Sequence, residues 1–181
     1  RWEEDWPVLG YNGKVPESFT VPLKTCEGKP LVISDDFNHT ENRLALNWQW
    51  NHNPENSLWS FTERPGYLRL HTGISAESVL MAKNTLTQRT EGPRCTAEVK
   101  LSLSGLKPGE RAGLIALQSH FGTVGIRMEK DGCFLTMCVN NGSGGEKEEE
   151  EIPWKQNEVY LKIAFDFTDS RDIAEFYYSE D

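Results

Sequence analysis

The chain has 181 residues, 37% hydrophobic and 26% charged, with 19 Lys and Arg against 28 Asp and Glu and a formal net charge of -9. That composition supports one large globular domain, or one with an appendage, and excludes a disordered chain. The acidic balance repels nucleic-acid backbones and anionic membrane surfaces, no apolar run approaches the ~18 residues of a bilayer-spanning helix, and neutral sugars stay among the ligands left open.

The first residue is Arg rather than Met, and RWEEDWPVLG lacks the basic head and apolar body of a signal peptide, so a piece of a longer protein is expected. Residues 1 to about 30 read as irregular, because Pro7, Pro16, Pro22 and Pro30 alternate with Gly10, Gly13 and Gly28 and block both helix and central strand. Trp2, Trp6, Val8, Leu9 and Phe19 are too apolar for a free linker, which suggests a segment pinned to a surface by its large side chains.

From residue 31 the hydrophobic period is two. In WQWNH, Trp48, Trp50 and His52 alternate with Gln49 and Asn51, placing three rings on one strand face. Such a face either stacks on pyranose rings or packs in a core or interface, and packing is the favoured reading. SLWSFTERPGYLRLHT reads as a hairpin turning at Pro65-Gly66, with Trp59 and Phe61 on one face of its first arm. Tyr67, Arg69 and His71 then oppose Leu68 and Leu70, facing a ligand, another domain or water. ESVLMAKN is the sole helix-like stretch and is too short to carry weight.

The clearest strand is RCTAEVKLSL, where Cys95, Ala97, Val99, Leu101 and Leu103 alternate with polar residues. GLKPGE turns the chain, RAGLIALQSH follows, and KDG separates VGIRME from CFLTMCVNN as a hairpin turn. His120 and Phe121 lie in QSHFGTVG between two strands, where an aromatic is more exposed than one in mid-strand; they are the candidates for reaching out of the domain, against ordinary turn packing. GSGGEKEEEEIP (142–153) reads as one solvated, charged loop, since adjacent glutamates do not present oxygens as a built calcium loop does. EVYLKIAFDFT is another strand, and IAEFYYSED is a strand entering a turn from which nothing returns. Either the native chain continues with further strands, or the missing strands are supplied otherwise.

Successive hairpins without helices give an antiparallel all-β domain, most simply a two-sheet sandwich. Cys26, Cys95, Cys133 and Cys138 contain no CxxC pair; Cys133 and Cys138 point to opposite strand faces, and reduced, mostly buried thiols are expected. The sequons at Asn38 and Asn141 matter only in a secreted eukaryotic protein. Neither GxSxG nor HExxH occurs, and His39, His52, His71 and His120 have no metal-ligand spacing. Asp35 and Asp36 are adjacent and face opposite ways, so no catalytic carboxylate pair, metal or cofactor is expected.

SDDFNHTENRLALNWQWNHNPENSLWSFTERPGYLRLHTG (34–73) resembles the opening of the C-terminal β-sandwich of glycoside hydrolase family 43, the β-xylosidases and α-L-arabinofuranosidases of xylan and arabinoxylan. RWEEDWPVLGYNGKVPESFTVPL is similar to the tail leaving the catalytic propeller of that family, and AGLIALQSHFGTVGIRME, VYLKIAFDF and FYYSED resemble further segments. The resemblance implies a concanavalin A-like jelly roll at 31–181 and an interdomain strap at 1–30 from the end of a propeller. It implies a non-catalytic accessory domain, inactive alone, packed on that propeller and walling its pocket around a xylan-derived oligosaccharide. In some members a sandwich loop lends an aromatic to that pocket, a role carried here to His120 or Phe121. Trp2, Trp6, Trp48, Trp50, His52, Trp59 and Tyr67 become candidates for the domain interface or for sugar stacking. An independent lectin-like carbohydrate-binding module is the alternative, a calcium-dependent sandwich using Asp35, Asp36 or Asp166 a weaker one, and the compartment stays open between bacterial cytoplasm and secretion.

Overall fold

The computed structural model describes residues 2–11, 13–18, 20, 24, 28–142 and 145–181. Phe19, Pro22 and Cys26, which figure in the sequence reading, lie outside the described residues. The chain divides into two compact units, Arg1–Pro30 and Leu31–Asp181.

Among the described residues of the first unit, 2–7 form a hairpin. β1 (Trp2–Glu3) and β2 (Trp6–Pro7) pair antiparallel, Trp2 opposite Pro7 and Glu3 opposite Trp6. Glu4 and Asp5 between them both take positive φ, 47° and 66°, the twist that a two-residue hairpin turn requires. The register sends Trp2 and Trp6 to opposite faces, and each is 75% exposed.

The second unit carries β3 (Gln49–Trp50), β4 (Trp59–Ser60), β5 (Arg69–Leu70), β6 (Leu86–Thr87), β7 (Arg94–Ser102), β8 (Arg111–Leu117), β9 (Phe121–Met128), β10 (Cys133–Asn140), β11 (Lys147–Trp154), β12 (Glu158–Asp166) and β13 (Ile173–Ser179). All pairings are antiparallel: β3 joins β6, β4 joins β5, and the larger sheets run β11–β10–β9–β8 and β13–β12–β7. Among the described residues no helix exceeds a single 3-10 turn, and none is long and apolar enough to cross a membrane. ESVLMAKN holds one such turn, Val79–Met81. The architecture is the expected all-β, concanavalin A-like sandwich.

The alternation read in the sequence builds the core. Val159, Leu161 and Ile163 of β12 meet Val124 and Ile126 of β9, Leu135 of β10 and Trp154 of β11, with β12 lying over β8 and β13 over β9. A fully buried Leu or Ile contributes about 1.5–3 kcal/mol, so this seam dominates the stability of the sandwich. The turns follow their residues: the Tyr67 amide donates to the Arg64 carbonyl at 3.1 Å around Pro65-Gly66, and Glu129 donates to Gly132 at 2.8 Å around Lys130-Asp131. The expected hairpin of SLWSFTERPGYLRLHT pairs only Trp59 with Leu70 and Ser60 with Arg69, and residues 61–68 form a wide loop.

The reading of 142–153 as a solvated loop is overturned. Residues 147–153 belong to β11, hydrogen-bonded along β10 with a bulge where β10 passes Met137 to Cys138. The cause lies two strands away: Arg127 of β9, a side chain only 17% exposed, bridges to Glu148 and Glu151 of β11 and lies over the Phe134 ring at 5.7 Å. Its Nε is 3.0 Å from Glu129 Oε1 but out of hydrogen-bonding alignment.

On the outer face of the same sheet Gly113 faces Gly125, which faces Thr136. A Cβ at Gly113 would stand 2.2 Å from the Val124 carbonyl oxygen, and one at Gly125 2.3 Å from that of Ala112. Gly113→Ala and Gly125→Ala are each expected to lower stability by about 1–3 kcal/mol, because backbone must move. Gly105→Ala, whose Cβ would meet nothing closer than Arg69 Nη1 at 3.8 Å, serves as the neutral comparison in urea denaturation.

Candidate functional site

Trp48 and Trp50, read from the sequence as one ringed face with His52, join Trp59 of the hairpin in an aromatic cluster around Asp35, a carboxylate weighed from the sequence only as a catalytic or calcium candidate. Asp35 lies before β3, outside any strand, its side chain 7% exposed. Its Oδ1 accepts the Phe37 amide at 2.8 Å and His39 Nε2 at 2.9 Å, and its Oδ2 accepts Trp48 Nε1 at 3.1 Å. Burial pushes the Asp35 carboxyl up in pKa, and the Phe37 amide, Trp48 indole and His39 ring more than offset it, leaving it below its ordinary value.

The rings stack outward from that carboxylate. Phe37 lies 5.7 Å from Trp48 and 5.6 Å from Phe61, His39 4.5 Å from Phe61, Trp59 5.5 Å from Phe61 edge-on, and Trp50 5.5 Å from Trp59. Phe61 is wholly buried and Trp59 nearly so, while Trp48, Trp50 and His52 are half-buried and Gln49 and Asn51 exposed. His52 Nε2 donates to the Leu80 carbonyl at 2.5 Å. Asn42 fixes the inner strand, accepting the Phe61 amide at 2.8 Å and donating to the Trp59 carbonyl at 3.4 Å, and Gln88 ties Ile33 through both its amide and carbonyl. Tyr67 stands apart from the cluster, with the Arg64 guanidinium 3.6 Å over its ring and Arg64 Nη1 donating to Ser102 at 3.0 Å.

His120 and Phe121 separate. Phe121 opens β9 and is 5% exposed, not the outward turn aromatic that its position suggested; opposite Leu117 and Asn140, it belongs to the ladder. His120, the last residue of the three-residue turn before it, is exposed. Trp2 and Trp6 lie in the other unit.

The carboxylates are committed to local bonds. Asp36 accepts the Asn38 amide at 3.1 Å, and Asp166 accepts the Thr168 hydroxyl and amide and is held well below the usual carboxylate range by those bonds and by Arg94 and Arg171. Among the described residues no three His, Cys, Asp or Glu side chains converge on a metal position. Cys95, Cys133 and Cys138 are free thiols, and burial raises the pKa of Cys133 and Cys138. An open depression of about 930 Å³ is lined by Arg64, Ser102, Gln156 and Glu158, away from the ringed cluster.

Residues 34–181 match the family model described as the beta-xylosidase C-terminal concanavalin A-like domain. A bifunctional GH43-CE protein of Bacteroides eggerthii superposes with a TM-score of 0.87 at 43% identity, over 100% of this chain and 24% of its own. A beta-xylosidase of Formosa agariphila is 32% identical over 158 residues, 72% of this chain and 26% of its own length. A non-reducing-end alpha-L-arabinofuranosidase of Bacteroides ovatus is 31% identical over 116 residues, 63% of this chain and 22% of its own. The chain spans a third or less of the curated relatives it matches. It belongs to the C-terminal concanavalin A-like domain family of the family 43 glycoside hydrolases.

Asp35→Asn leaves at least one buried donor without its charged acceptor, at a cost of about 1–3 kcal/mol at neutral pH. The folded carboxyl titrates below its unfolded value of about 3.9, so its contribution is present above that pH and is lost as pH falls below it. Urea titrations at pH 7 and pH 3 are expected to show a smaller acid loss for the variant than for the parent.

Proposed function

We propose that the sandwich is the non-catalytic accessory domain of a xylan- or arabinoxylan-degrading enzyme, docked on the catalytic propeller of the same polypeptide and walling one side of its pocket. In this reading residues 1–30 are the strap that leaves the propeller, and Trp2 and Trp6, on opposite faces of their hairpin, are covered by it. The observation that carries the reading is where the rings point. Trp48 lies against Phe37, and Trp50 against Trp59, which meets Phe61 edge-on, an arrangement that supports a structural role over a platform for a sugar. The exposed His120, on a turn fixed by a rigid sheet, is then the group suited to reach a pocket built elsewhere. The substrate is a xylan-derived oligosaccharide, a class supported by what the Formosa and B. ovatus relatives are named for.

Alone, the chain is expected to hydrolyse neither aryl xyloside nor aryl arabinoside. Joined to its catalytic domain, His120→Ala is expected to raise KM for xylobiose about threefold to tenfold, with kcat changed less. An unchanged KM would remove His120 from the pocket. Titration calorimetry of the chain with xylohexaose is expected to give no binding heat, and a saturable heat would instead favour a self-contained carbohydrate-binding module.

A further inference from the structure

We propose that Gly142 and Asn140, on the connection after β10, are positioning residues that set the imidazole of His120; this deepens, and rests on, the reading of His120 as a pocket wall. The strand ladder brings the parts together. Phe121, buried at the start of β9, stands opposite Asn140 at the end of β10, so the turn bearing His120 and the departure of the next connection share one end of the sheet. Asn140 Oδ1 accepts the Gly142 amide at 2.7 Å and folds that residue back toward the turn. Gly142 takes φ +82°, and a Cβ placed on it would stand 2.8 Å from His120 Nε2 and 2.9 Å from His120 Cδ2.

The imidazole therefore rests directly on the Gly142 backbone. The group in the way of a new Cβ is the far end of a rotatable side chain, so Ala at 142 displaces the ring before it disturbs the sheet. An exposed His on a three-residue turn has several rotamers open to it, and a backbone surface against one side of the ring removes those that cross that surface. A side chain held in one of its orientations contributes to substrate binding without first losing that freedom, which is how a support with no ligand contact alters KM. Gly145 separates this effect from backbone strain: it takes φ +85°, yet a Cβ there would meet nothing within 4 Å.

The test uses the polypeptide in which these residues follow their catalytic domain, with xylobiose as substrate. Gly142→Ala is expected to raise KM about threefold or more with kcat nearly unchanged, to add nothing in a His120→Ala background, and to be matched in direction by Asn140→Ala, which removes the tie without adding a Cβ. Gly145→Ala is expected to leave KM unaltered. If His120→Ala raises KM while Gly142→Ala and Asn140→Ala do not, or if Gly142→Ala is equally damaging without His120, the positioning role is overturned. Should Gly142→Ala not fold, Asn140→Ala decides by the same criteria. No effect of His120→Ala itself would overturn the pocket reading, a result distinguishable from the other two.

Discussion

A carboxylate nearly sealed from water persists only where donors close on it, and Asp35 has three: a backbone amide, an imidazole and an indole. Each donor belongs to a residue that must then sit at one place. Phe37 and His39 follow Asp35 in the chain, and Trp48 comes from thirteen residues on. Satisfying one acidic group thus gathers three rings, and Phe61, Trp59 and Trp50 complete the cluster through their stacking. A segment with only two-residue strands, β3 to β6, gains from side chains the order that ladder hydrogen bonds give the sandwich proper.

The rest of the domain shows where solvent lies. The outer face of the β13–β12–β7 sheet carries Lys162 paired with Glu98 at 3.0 Å and Lys100 paired with Glu158 at 2.8 Å, with Tyr160 beside Lys100. Exposed pairs of this kind add little stability, but they mark a face that stays wet. The opposite sheet is held at its edge by Arg127 against the glutamates of β11. Between these faces the apolar seam leaves the connections at the strand ends as the places where function is added, the usual division of labour between a rigid sandwich and its loops.

The sequence reading was accurate where side chains alternate by polarity. β7 stands at Arg94–Ser102 because Cys95 to Leu101 alternate with charged and hydroxyl residues, and burial alternates likewise from Trp48 to His52, with Trp48, Trp50 and His52 half-buried and Gln49 and Asn51 exposed. It failed where alternation carries no contrast. Glu148 to Glu151 look identical along the chain, although Glu148 and Glu151 reach Arg127 from β11, and that partner is visible only once the strands pair. Phe121 was misplaced because Gly122 hides the period; counting back from Ile126 and Val124 puts it on the outer face of β9. Asp35 and His39 were judged against catalytic and metal patterns, whereas their i, i+4 spacing beside Phe37 and Trp48 signalled a hydrogen-bonded node. Gly142 had no sequence signal as a support for His120, because that role depends on a close approach between two connections.

The inward orientation of the tryptophans is tested most directly by hydrogen exchange and chemical-shift titration of the indole N–H groups. The Trp48 N–H, bonded to Asp35 inside the cluster, is expected to exchange far more slowly than those of Trp2 and Trp6 in the separate chain, and to hold its position as xylohexaose is added. Rapid exchange at Trp48, or shifts of Trp48 and Trp50 that saturate with the oligosaccharide, would show an open sugar-binding face and contradict the account.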